Sequence, residues 1–356
     1  MDKINAAIKK ITALDYKLMA LTQERLDNLT KPLGSLGRLE ELAKQICGIT
    51  GKENPVLKNK VIFTLAADHG VTAEGVSAYP KEVTAQMVYN FLAGGAGINV
   101  LAKHAGARVV VVDIGVASDL KARPGLVIKK INYGTKNMAL GPAMSKEEAI
   151  ASIETGIEVF EAEYTKGIDI VGTGDMGIGN TTASAAIASV ITGKTVEEIT
   201  GRGTGINDAG LSKKINVIKK AIKTNAPQPK DGLDVLAKVG GFEIGGLVGI
   251  ILAACARKIP VVIDGFISTA AALIAHSLKP EVKEYIIAAH CSKEKGHRLM
   301  LAYLELKPLL DLDMRLGEGT GAALGMSIIE ASTKILTEMA TFQNAGVSDR
   351  MDKENL

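Results

Sequence analysis

Short apolar runs recur through the middle of the sequence and predict the strands of a buried sheet. They are rich in valine or isoleucine and cover residues 61–67, 108–114, 168–171, 259–263 and 285–288. Because the runs are apolar almost throughout rather than alternating, they are typical of strands covered on both faces. A polar or small-residue segment and then a helical pattern follow each run. This repeated order predicts an α/β fold, with a doubly wound, mostly parallel sheet and helices on both faces.

Helical periodicity at the N-terminus predicts that residues 1–30 are helical. Leu18, Leu21 and Leu26 form an apolar stripe along this segment, and Asp15 is the candidate N-cap. The start of the chain is therefore expected to pack as helix rather than to join the sheet.

The C-terminal part of the chain predicts one long helix over residues 320–340. Its apolar positions recur at spacings of three and four and are Leu324, Ile328, Ala331, Ile335 and Met339. Both ends of the chain are thus helical, and we expect them to pack together. The predicted organisation is a small helical domain from residues 1–45 and 306–356 and a large α/β nucleotide-binding domain from residues 46–305.

The composition is that of a globular protein and excludes several other classes. Hydrophobic residues are 47% and charged residues 23% of the chain, which excludes a disordered or fibrous protein. The net charge is only +3 and aromatic residues are 4%, which argues against nucleic acid as a partner. Glycine is abundant, at 38 of 356 residues, and indicates tight turns or backbone held close to a ligand.

Hydropathy and cysteine content bear on the cellular compartment. The longest strongly apolar stretch, Ile244 to Ala256, is too short to span a bilayer and is predicted to be a buried helix. The first residues lack an apolar export signal. Cys47, Cys255 and Cys291 form no CxxC pair, so they are predicted to be reduced and unpaired. We therefore expect a cytoplasmic protein with no membrane partner.

Ligands of open parallel sheets bind beyond the carboxyl ends of the strands. This rule selects the loops that follow the apolar runs, at residues 67–71, 113–116, 172–182, 264–266, 290–297 and 315–321. Candidate binding and catalytic residues are therefore expected in these loops.

The loop at 172–182 carries a glycine pattern that favours phosphate binding. Gly172, Gly174 and Gly177 match G-x-G-x-x-G after a predicted strand, and Asn180 opens an alanine-rich helix. The loop lies in the middle of the chain rather than in a first βαβ unit, and Asp175 would repel a pyrophosphate. We therefore favour a mononucleotide phosphate over a dinucleotide. The alternative is a glycine turn whose aspartate only caps a helix.

Lys214 and Ser292 are two further candidates for anion binding. Lys214 lies at the edge of the apolar stripe of a helix predicted over 208–223, where it either extends to solvent or holds an anion. Ser292 follows the last predicted strand, where its hydroxyl either caps the next helix or helps to bind a phosphate. The spacing alone leaves both alternatives open for each residue.

Glu318 is the leading candidate for a catalytic group. It lies between Gly317 and Gly319, directly before the long C-terminal helix. A carboxylate in a desolvated cleft has a raised pKa, which suits a general base near neutral pH. The alternative is an acidic residue that the helix dipole favours at a helix N-terminus.

The histidines show neither a metal-binding nor a hydrolase pattern. No HExxH-like spacing occurs, and Asp68 and His69 are not accompanied by a G-x-S-x-G nucleophile motif. A metal enzyme and a Ser-His-Asp enzyme are therefore disfavoured.

Several motifs follow one another over most of the chain, in an order and at a length typical of one enzyme family. They are KPLGSLGRLE (31–40), ADHGV (67–71), EVTAQMV (82–88), GPAMS (141–145), GDMGIGNTT (174–182), DGLDVLAKVGGFE (231–243), DGF (264–266) and RLGEGTGAAL (315–324). Together they resemble the nicotinate-nucleotide–dimethylbenzimidazole phosphoribosyltransferase family, which makes the lower ligand of cobalamin. The resemblance implies a large parallel-sheet domain, a small helical domain from both termini, and a homodimer.

The resemblance also implies roles for individual residues. Glu318, in the family's RLGEG motif, would be the catalytic base, and Asp175 would stabilise positive charge in the transition state. The nucleotide and its phosphate would be bound by Gly177, Ile178, Gly179, Asn180, Gly203, Lys214 and Ser292. The acceptor base would be bound by Tyr79, Gln86, Met87 and Met176. The partners would be the two small-molecule substrates, and no metal or other cofactor is implied.

Two positions depart from the family's usual pattern. Asp175 stands where family members often carry glutamate, so its carboxylate reaches less far toward the reacting centre. Tyr79 stands where some members carry a serine beside the aromatic base. The first departure bears on the role of Asp175, and the second bears on which base is accepted.

The implied reaction transfers the 5-phosphoribosyl group of nicotinate mononucleotide to 5,6-dimethylbenzimidazole and gives α-ribazole 5′-phosphate and nicotinate. Other functions remain open from the sequence. A related transferase would use adenine, another benzimidazole or a phenolic acceptor. A sensor would bind the mononucleotide without catalysis, although the complete RLGEG motif argues against it. An NAD-dependent oxidoreductase is a weaker alternative.

Overall fold

A sheet of six parallel strands forms the centre of the protein, whose computed structural model describes residues 1–348. The strands are β1 (Lys60–Ala67), β2 (Ala107–Gly115), β3 (Leu126–Ile128), β4 (Ile170–Met176), β5 (Val261–Ile263) and β6 (Ile286–Ala288). Their order across the sheet is β3-β2-β1-β4-β5-β6, and all neighbouring pairs are parallel. The order reverses between β1 and β4, and such a reversal leaves a crevice at the carboxyl ends of the strands.

Helices connect the strands and cover both faces of the sheet. The N-terminal part contains α1 (Asp2–Lys10), α2 (Tyr16–Asp27) and α3 (Arg38–Thr50), and the connection from β1 to β2 contains a 3-10 turn (Gly70–Glu74), α4 (Val83–Ala93) and α5 (Gly97–Ala105). Between β3 and β5 lie α6 (Lys146–Tyr164), α7 (Asn180–Thr192), α8 (Val196–Ile199), α9 (Asp208–Asn225), α10 (Gly232–Val239) and α11 (Phe242–Ala256). After β5 come α12 (Phe266–Leu278), α13 (Val282–Tyr285), α14 (His297–Tyr303), α15 (Thr320–Glu338) and α16 (Phe342–Ala345).

Alternate residues of the central strands enter two separate hydrophobic cores. Val61, Phe63 and Leu65 belong to the core shared with α6, α11 and α12. Ile62 and Ala66 belong to the opposite core, shared with α4, α5 and α15. Every residue of the strand is thus buried on one side or the other, which explains why the sequence run is apolar throughout. The predicted doubly wound α/β fold is confirmed.

Strand β4 extends further than the sequence pattern predicts and contains part of the glycine pattern. The prediction ended this strand at Val171, but it continues to Met176, so Gly172 and Gly174 lie within it. A Cβ atom at Gly174 would lie 2.3 Å from the carbonyl oxygen of Glu318. Glycine is needed here because the segment that leads into α15 packs directly on the strand. The interpretation of 172–182 as one loop is therefore wrong.

The N-terminal segment is two helices rather than one continuous helix. The chain leaves the helical conformation at Ile11 and resumes it after Asp15, whose side chain accepts a hydrogen bond from the Leu18 N–H at 2.9 Å. The predicted N-cap is therefore confirmed. Leu18 and Leu26 are buried, but Leu21 is 48% exposed, so the predicted apolar stripe is wrong at that position.

Helix α15 lies where the sequence predicts a helix, but it buries a different face. Ala322, Met326 and Ile329 are fully buried against the sheet and α5. Of the predicted apolar positions, Ala331 is exposed and the other four are only partly buried, namely Leu324, Ile328, Ile335 and Met339. The small side chain at Ala322 lets the helix lie close to the glycines of β4, which larger aliphatic residues would prevent.

Both ends of the chain meet in a separate hydrophobic cluster. It includes Leu26 and Leu29 from the N-terminal side and Leu336 from α15, and Leu29 forms an antiparallel bridge with Thr341. Helix α15 also packs against β1, β4 and β5, so it covers the sheet as well as contributing to this cluster. The domain boundaries at residues 45/46 and 305/306 stay a prediction, and residues 349–356 of the C-terminal segment lie outside the described residues.

Predictions that concern buried apolar groups also hold. Helix α11 contains the longest apolar stretch and is buried almost throughout, as expected. Among residues 1–348, none of the helices combines the length and the apolar character that crossing a bilayer requires. Cys47, Cys255 and Cys291 are buried and unpaired, which confirms the predicted free thiols.

Candidate active site

A cavity of about 460 Å³ opens beyond the carboxyl ends of β4, β5 and β6, next to the reversal of strand order. Its wall is built from loops that are far apart in the sequence. Most of the predicted site residues line it, namely Tyr79, Met87, Asp175, Met176, Gly177, Ile178, Asn180, Gly203, Ser292 and Glu318. The fold therefore brings the predicted catalytic, phosphate-binding and base-binding residues into one place.

Gly179, Lys214 and Gln86 are predicted site residues that do not line this cavity. Gly179 lies in the turn before α7 and is the N-cap of that helix. Lys214 lies behind the wall, with its Nζ 2.7 Å from the Thr181 hydroxyl oxygen. Gln86 lies on α4 and is exposed to solvent. The structure does not bring Gln86 to the cavity, and its role in base binding stays a prediction.

The turn before α7 brings backbone N–H groups close to the cavity. A Cβ atom at Gly177 would lie 2.3 Å from the Ala67 carbonyl oxygen, so only glycine lets the turn lie this close to β1. Gly179 has a φ of 96°, a left-handed conformation that glycine adopts without strain. The Ile178 N–H donates to the Thr84 hydroxyl at 3.1 Å, which ties the turn to α4.

The N-terminus of α12 faces the same cavity. Gly265, Phe266 and Ile267 line the wall where this helix begins. The first N–H groups of a helix lack intrahelical acceptors, and the helix dipole adds positive potential there. Two helix N-termini at one cavity therefore favour an anionic ligand.

Lys214 places a buried positive charge beside these helix ends. It is 1% exposed, which excludes the alternative that it extends to solvent. Its Nζ donates to Thr181 Oγ1 at 2.7 Å and would lie 3.1 Å from a Cβ atom at Gly203. Burial lowers the pKa of Lys214 to about 8, and the charge of Glu294 opposes this shift. A bound phosphate would supply a counter-charge and raise that pKa again.

Ser292 lies on the loop after β6, with its side chain on the cavity wall. It does not cap the next helix, because α14 begins only at His297 and has Gly296 as its N-cap. The capping alternative is therefore wrong. The Ser292 hydroxyl instead accepts a long hydrogen bond of 3.4 Å from the Glu294 N–H. This arrangement leaves the hydroxyl proton available to an acceptor in the cavity.

Glu318 reaches the cavity from a strained backbone. Its φ is 64°, and its neighbours Gly317 and Gly319 are also left-handed, at 80° and 97°. A non-glycine residue in this region costs on the order of 1–3 kcal/mol, and such strain is concentrated at functional sites. Thr64 Oγ1 donates to the Glu318 carbonyl oxygen at 2.9 Å and so helps to hold this peptide in place.

The carboxylate of Glu318 is buried, since the residue is 5% exposed. Its Oε2 accepts a hydrogen bond from the Ile98 N–H at the start of α5, at 3.0 Å. Burial raises the pKa of Glu318, and the Ile98 N–H partly opposes that rise. A carboxylate with a raised pKa is a stronger base, which favours a role for Glu318 in accepting a proton.

Asp264 is a site residue that the sequence interpretation did not single out. It accepts hydrogen bonds from the first N–H groups of α15, at 3.2, 2.6 and 3.2 Å from Gly319, Gly321 and Ala322. Burial raises the pKa of Asp264 to about 7, and these N–H groups oppose the rise. Asp264, rather than Glu318, therefore caps α15, and the Glu318 side chain is not needed at the helix dipole.

Asp175 lies near the end of β4 and is 5% exposed. Its Oδ2 accepts a hydrogen bond from Asn180 Nδ2 at 3.0 Å. Burial raises the pKa of Asp175 well above its usual range, and the negative charges of Asp264 and Glu243 raise it further. A crowded group of carboxylates such as this one favours a positive charge on a bound ligand.

Known proteins are similar to this sequence over nearly its full length. A family model described as phosphoribosyltransferase matches residues 11–347. The nicotinate-nucleotide–dimethylbenzimidazole phosphoribosyltransferases of Desulforudis audaxviator (strain MP104C) and Geotalea uraniireducens (strain Rf4) are 61% and 59% identical to it over 348 and 349 residues. Each match covers 98% of this chain and 99% of the relative. The chain belongs to this family.

Solved structures agree with this membership. CobT of Thermus thermophilus has a TM-score of 0.91 and 45% identity, over 94% of this chain and 100% of that one. The nicotinate-nucleotide–dimethylbenzimidazole phosphoribosyltransferase of the same organism has a TM-score of 0.90 and 44% identity, over 95% and 100%. The family predicted from the motifs and the enzyme class, phosphoribosyltransferase, are confirmed.

In this phosphoribosyltransferase, Arg315 is another cavity residue that the sequence interpretation missed. Its Nη1 donates to the Gly203 carbonyl oxygen at 3.0 Å, across 112 residues of sequence. The bond joins the loop that carries Glu318 to the loop around Gly203, and both loops line the cavity. The RLGEG motif contains Arg315, but no sequence pattern indicates its partner.

His69 is buried beneath the glycine turn and is not part of a catalytic triad. Its Nε2 lies 2.5 Å from Glu243 Oε1, and both side chains are inaccessible to solvent. Burial alone would lower the pKa of His69, but Glu243 raises it above the usual value. A Cβ atom at Gly179 would lie 3.2 Å from His69 Cβ, so the pair supports the turn from below. Among the described residues, no group of three or more histidine, cysteine or acidic side chains is arranged to hold a metal ion.

Proposed function

We propose that this enzyme transfers the 5-phosphoribosyl group of nicotinate mononucleotide to 5,6-dimethylbenzimidazole, with Glu318 as the general base. The products are α-ribazole 5′-phosphate and nicotinate, for assembly of the cobalamin nucleotide loop. Its highly identical relatives carry the name of this reaction. The observation that carries the role of Glu318 is its buried carboxylate on the cavity wall, with a raised pKa and a left-handed backbone.

The bond chemistry needs one base and no general acid. The ring nitrogen of the donor is a pyridinium, so the bond from this nitrogen to the ribosyl carbon breaks with its electron pair going to nicotinate. The imine nitrogen of the benzimidazole forms the new bond to the same carbon. The proton on its other nitrogen then passes to Glu318. Such a base contributes a factor of roughly 10²–10⁴ to the rate.

We assign the donor phosphate to the region between the N-termini of α7 and α12. Lys214 supplies the charge there, and Ser292 supplies a hydroxyl donor. The remaining nucleotide contacts are assigned to the wall residues Gly177, Ile178, Asn180 and Gly203 and to Gly179 in the turn behind them. Fixing the phosphate holds the ribosyl carbon in register with Glu318, and such positioning accounts for a large share of catalysis in transfer reactions.

Asp175 is assigned to the positive charge that develops on the ribosyl carbon. Asn180 Nδ2 donates a hydrogen bond to Asp175 Oδ2 at 3.0 Å and holds the carboxylate in place. Because aspartate is shorter than the glutamate that family members often carry, Asp175 acts through its electric field rather than by direct contact. The positive charge of the donor also favours the ionised carboxylate, and it therefore lowers the pKa that burial raises in the free enzyme.

The acceptor base is assigned to the part of the cavity walled by Tyr79, Met87 and Met176. Thioether and aromatic side chains suit a flat apolar heterocycle. Tyr79 is 55% exposed, so its ring can shift to admit a different acceptor. Measuring kcat/KM for dimethylbenzimidazole, adenine and a phenol separates these acceptors. A higher kcat/KM with adenine or with the phenol would show that dimethylbenzimidazole is not the preferred acceptor.

The role of Glu318 is tested by Glu318→Gln, which keeps the size of the side chain but removes the base. We expect kcat to fall roughly 10²–10⁴-fold while KM for nicotinate mononucleotide changes little, because the residue acts on the acceptor proton. Nicotinate release at saturating substrates gives kcat.

Glu305→Gln is the matched control for this test. Glu305 also has a left-handed backbone, with φ 57°, but it lies on the exposed surface after α14. It should retain the activity of the unmodified enzyme. An unchanged kcat in Glu318→Gln would exclude Glu318 as the base. The non-catalytic sensor would instead be favoured if the unmodified protein bound nicotinate mononucleotide but released no nicotinate.

We also propose, from the family resemblance, that the enzyme is a cytoplasmic homodimer. Its three buried, unpaired thiols are compatible with a reducing compartment. Light scattering in solution should give the mass of two chains, and the mass of one chain at working concentration would refute the dimer.

A further inference from the structure

The loop that carries Ser292 is held by a buried histidine that no step of the proposed reaction uses. His297 is the first residue of α14 and is 0% exposed. The Ser292 backbone N–H donates to His297 Nδ1 at 2.8 Å. On the other edge of the ring, His297 Nε2 lies 2.9 Å from the hydroxyl oxygen of Thr269 on α12.

These contacts fix the direction of each hydrogen bond that follows. Because Nδ1 accepts the Ser292 N–H, the neutral ring must carry its proton on Nε2. Nε2–H then donates to Thr269 Oγ1, and the Thr269 hydroxyl donates to the Gly265 carbonyl oxygen at 2.8 Å. Burial lowers the pKa of His297 to about 3, so the ring is neutral throughout the working pH range.

We propose that His297 is a positioning residue, which sets the Ser292 loop against the start of α12 and thereby shapes the phosphate site. Ser292 and Gly265 both line the cavity. A Cβ atom at Gly265 would lie 3.7 Å from Ser292 Cβ, so the two segments are in contact at the wall. This inference rests on the proposed role of Ser292 in phosphate binding.

An imidazole suits this position for a physical reason. It offers one acceptor and one donor at a fixed separation on a rigid ring, and both are used here. The distance between the Ser292 loop and α12 is therefore set by the width of the ring rather than by a flexible side chain. His297 acts on the substrate only through Ser292 and the start of α12, so its loss should weaken donor binding more than it slows chemistry.

Thr269→Val and His297→Asn each break this chain of hydrogen bonds in a different place. The valine keeps the shape of threonine without its hydroxyl, and the asparagine keeps an acceptor for the Ser292 N–H but does not reach Thr269. We expect each variant to raise KM for nicotinate mononucleotide about tenfold. kcat and KM for dimethylbenzimidazole should stay within about twofold. Inorganic phosphate, used as a competitive inhibitor, should lose affinity by the same factor as the donor.

Thr269→Ser is the conservative control, because it restores the hydroxyl and should return KM for the donor to the value of the unmodified enzyme. If His297→Asn does not fold, the Thr269→Val and Thr269→Ser pair decides the matter. A fall in kcat together with equal rises in both KM values, with no recovery in Thr269→Ser, would show a merely structural role and would overturn the inference.

The double variant Ser292→Ala/Thr269→Val tests whether the effect passes through Ser292. If it does, the double variant raises KM for the donor no further than Ser292→Ala alone, since coupled residues are not additive. Fully additive effects would overturn the inference while leaving the phosphate site intact. An unchanged KM in Ser292→Ala alone would instead overturn the phosphate role of Ser292, and the inference would fall with it.

Discussion

Glu318 is unusual among the non-glycine residues with a left-handed backbone. Lys258 and Glu305, which share that conformation, are exposed and follow the ends of α11 and α14, where a left-handed residue commonly terminates a helix. Glu318 is buried and precedes a helix. Its conformation therefore has no role in ending a helix, and it serves to aim a carboxylate into the cavity.

The proposed phosphate-binding role of Lys214 predicts that donor binding by the free enzyme depends on pH. Its pKa is lowered to about 8, so the side chain becomes neutral above that pH and no longer attracts a phosphate. We expect kcat/KM for nicotinate mononucleotide to fall as pH rises through about 8. kcat should persist to higher pH, because a bound phosphate raises the pKa of Lys214. Rate profiles at limiting and at saturating donor measure the two quantities separately.

Lys214→Arg tests which group causes this alkaline decline. A guanidinium stays protonated, so the decline near pH 8 should disappear even if affinity for the donor is reduced. Lys213→Arg is the matched control, since Lys213 is the exposed neighbour on the same helix and should leave the profile unchanged. A decline that persists in Lys214→Arg would assign it to another group.

At the residue scale, the sequence predicts what lies within contiguous motifs. Glu318 and the turn around Gly177 were predicted because glycines on either side reveal a special backbone. Asp264 and His297 were not, because their partners are on other loops and only the fold brings them together. Gln86 was assigned with its neighbour Met87, but adjacent helix residues point about 100° apart, so only one of them faces the cavity.

At the scale of elements, the contact between β4 and α15 determines where the proposed base lies. A Cβ atom added at Gly172 would lie 3.1 Å from Ala322 Cβ, and one added at Gly174 would lie 2.3 Å from the Glu318 carbonyl oxygen. The strand thus has no side chains on the part of its surface where α15 begins. Larger residues on β4 would push Glu318 away from the other site groups.

Gly174→Ala should therefore damage catalysis and stability together. The added methyl group must displace the Glu318 peptide, and a displacement of about 1 Å at a catalytic group can reduce kcat by about 10²-fold. Overpacking in a core costs about 1–3 kcal/mol of unfolding free energy. Steady-state kinetics and thermal unfolding measure the two effects.

Gly141→Ala is the control for that substitution, because a Cβ atom at Gly141 has no neighbour within 4 Å and its backbone is not left-handed. Both kcat and the melting temperature should match those of the unmodified enzyme. If Gly174→Ala behaves in the same way, the strand does not constrain the position of Glu318.

The sequence predicts elements where they are long and strongly patterned. Strands β1 and β2 were predicted because each is a long apolar run. Strand β3 was missed because it has only three residues at the sheet edge and none is fully buried. The end of β4 was misplaced because glycine usually indicates a loop, whereas here it allows a helix to approach.

At the scale of the whole molecule, α15 connects the cavity to the chain ends. Its 19 residues extend about 28 Å, from the Glu318 turn to the cluster that contains Leu336. The helical periodicity of both chain ends predicted that they pack together, and the family resemblance implied the same helical unit. The strand order could not be predicted, because periodicity does not record which strands are neighbours in space.

Lys31→Met tests whether the terminal cluster and the sheet unfold together. Lys31 Nζ lies 2.9 Å from Glu40 Oε1, with both side chains almost fully buried next to the cluster. Removing one partner of such a pair costs about 3–5 kcal/mol. Because α15 belongs to both regions, we expect one calorimetric transition at a lower melting temperature, with kcat unchanged below it.

Lys219→Ala is the control for that variant, since the ion pair of Lys219 with Glu197 is half exposed and should have little effect on melting. A separate early transition in Lys31→Met, with the main transition unmoved, would show that the terminal helices form an independent unit.

The mixture of charges around the cavity has a consequence for turnover. A buried lysine and two helix N-termini attract an anion, while Asp175, Asp264 and Glu318 attract a cation. A zwitterionic donor with a phosphate and a pyridinium satisfies both. Transfer discharges the cation, because nicotinate leaves with a neutral ring nitrogen and the new riboside gives up its proton. The product keeps its phosphate and base contacts but loses the attraction between a positive charge and these carboxylates. The chemical step itself therefore weakens binding and promotes release.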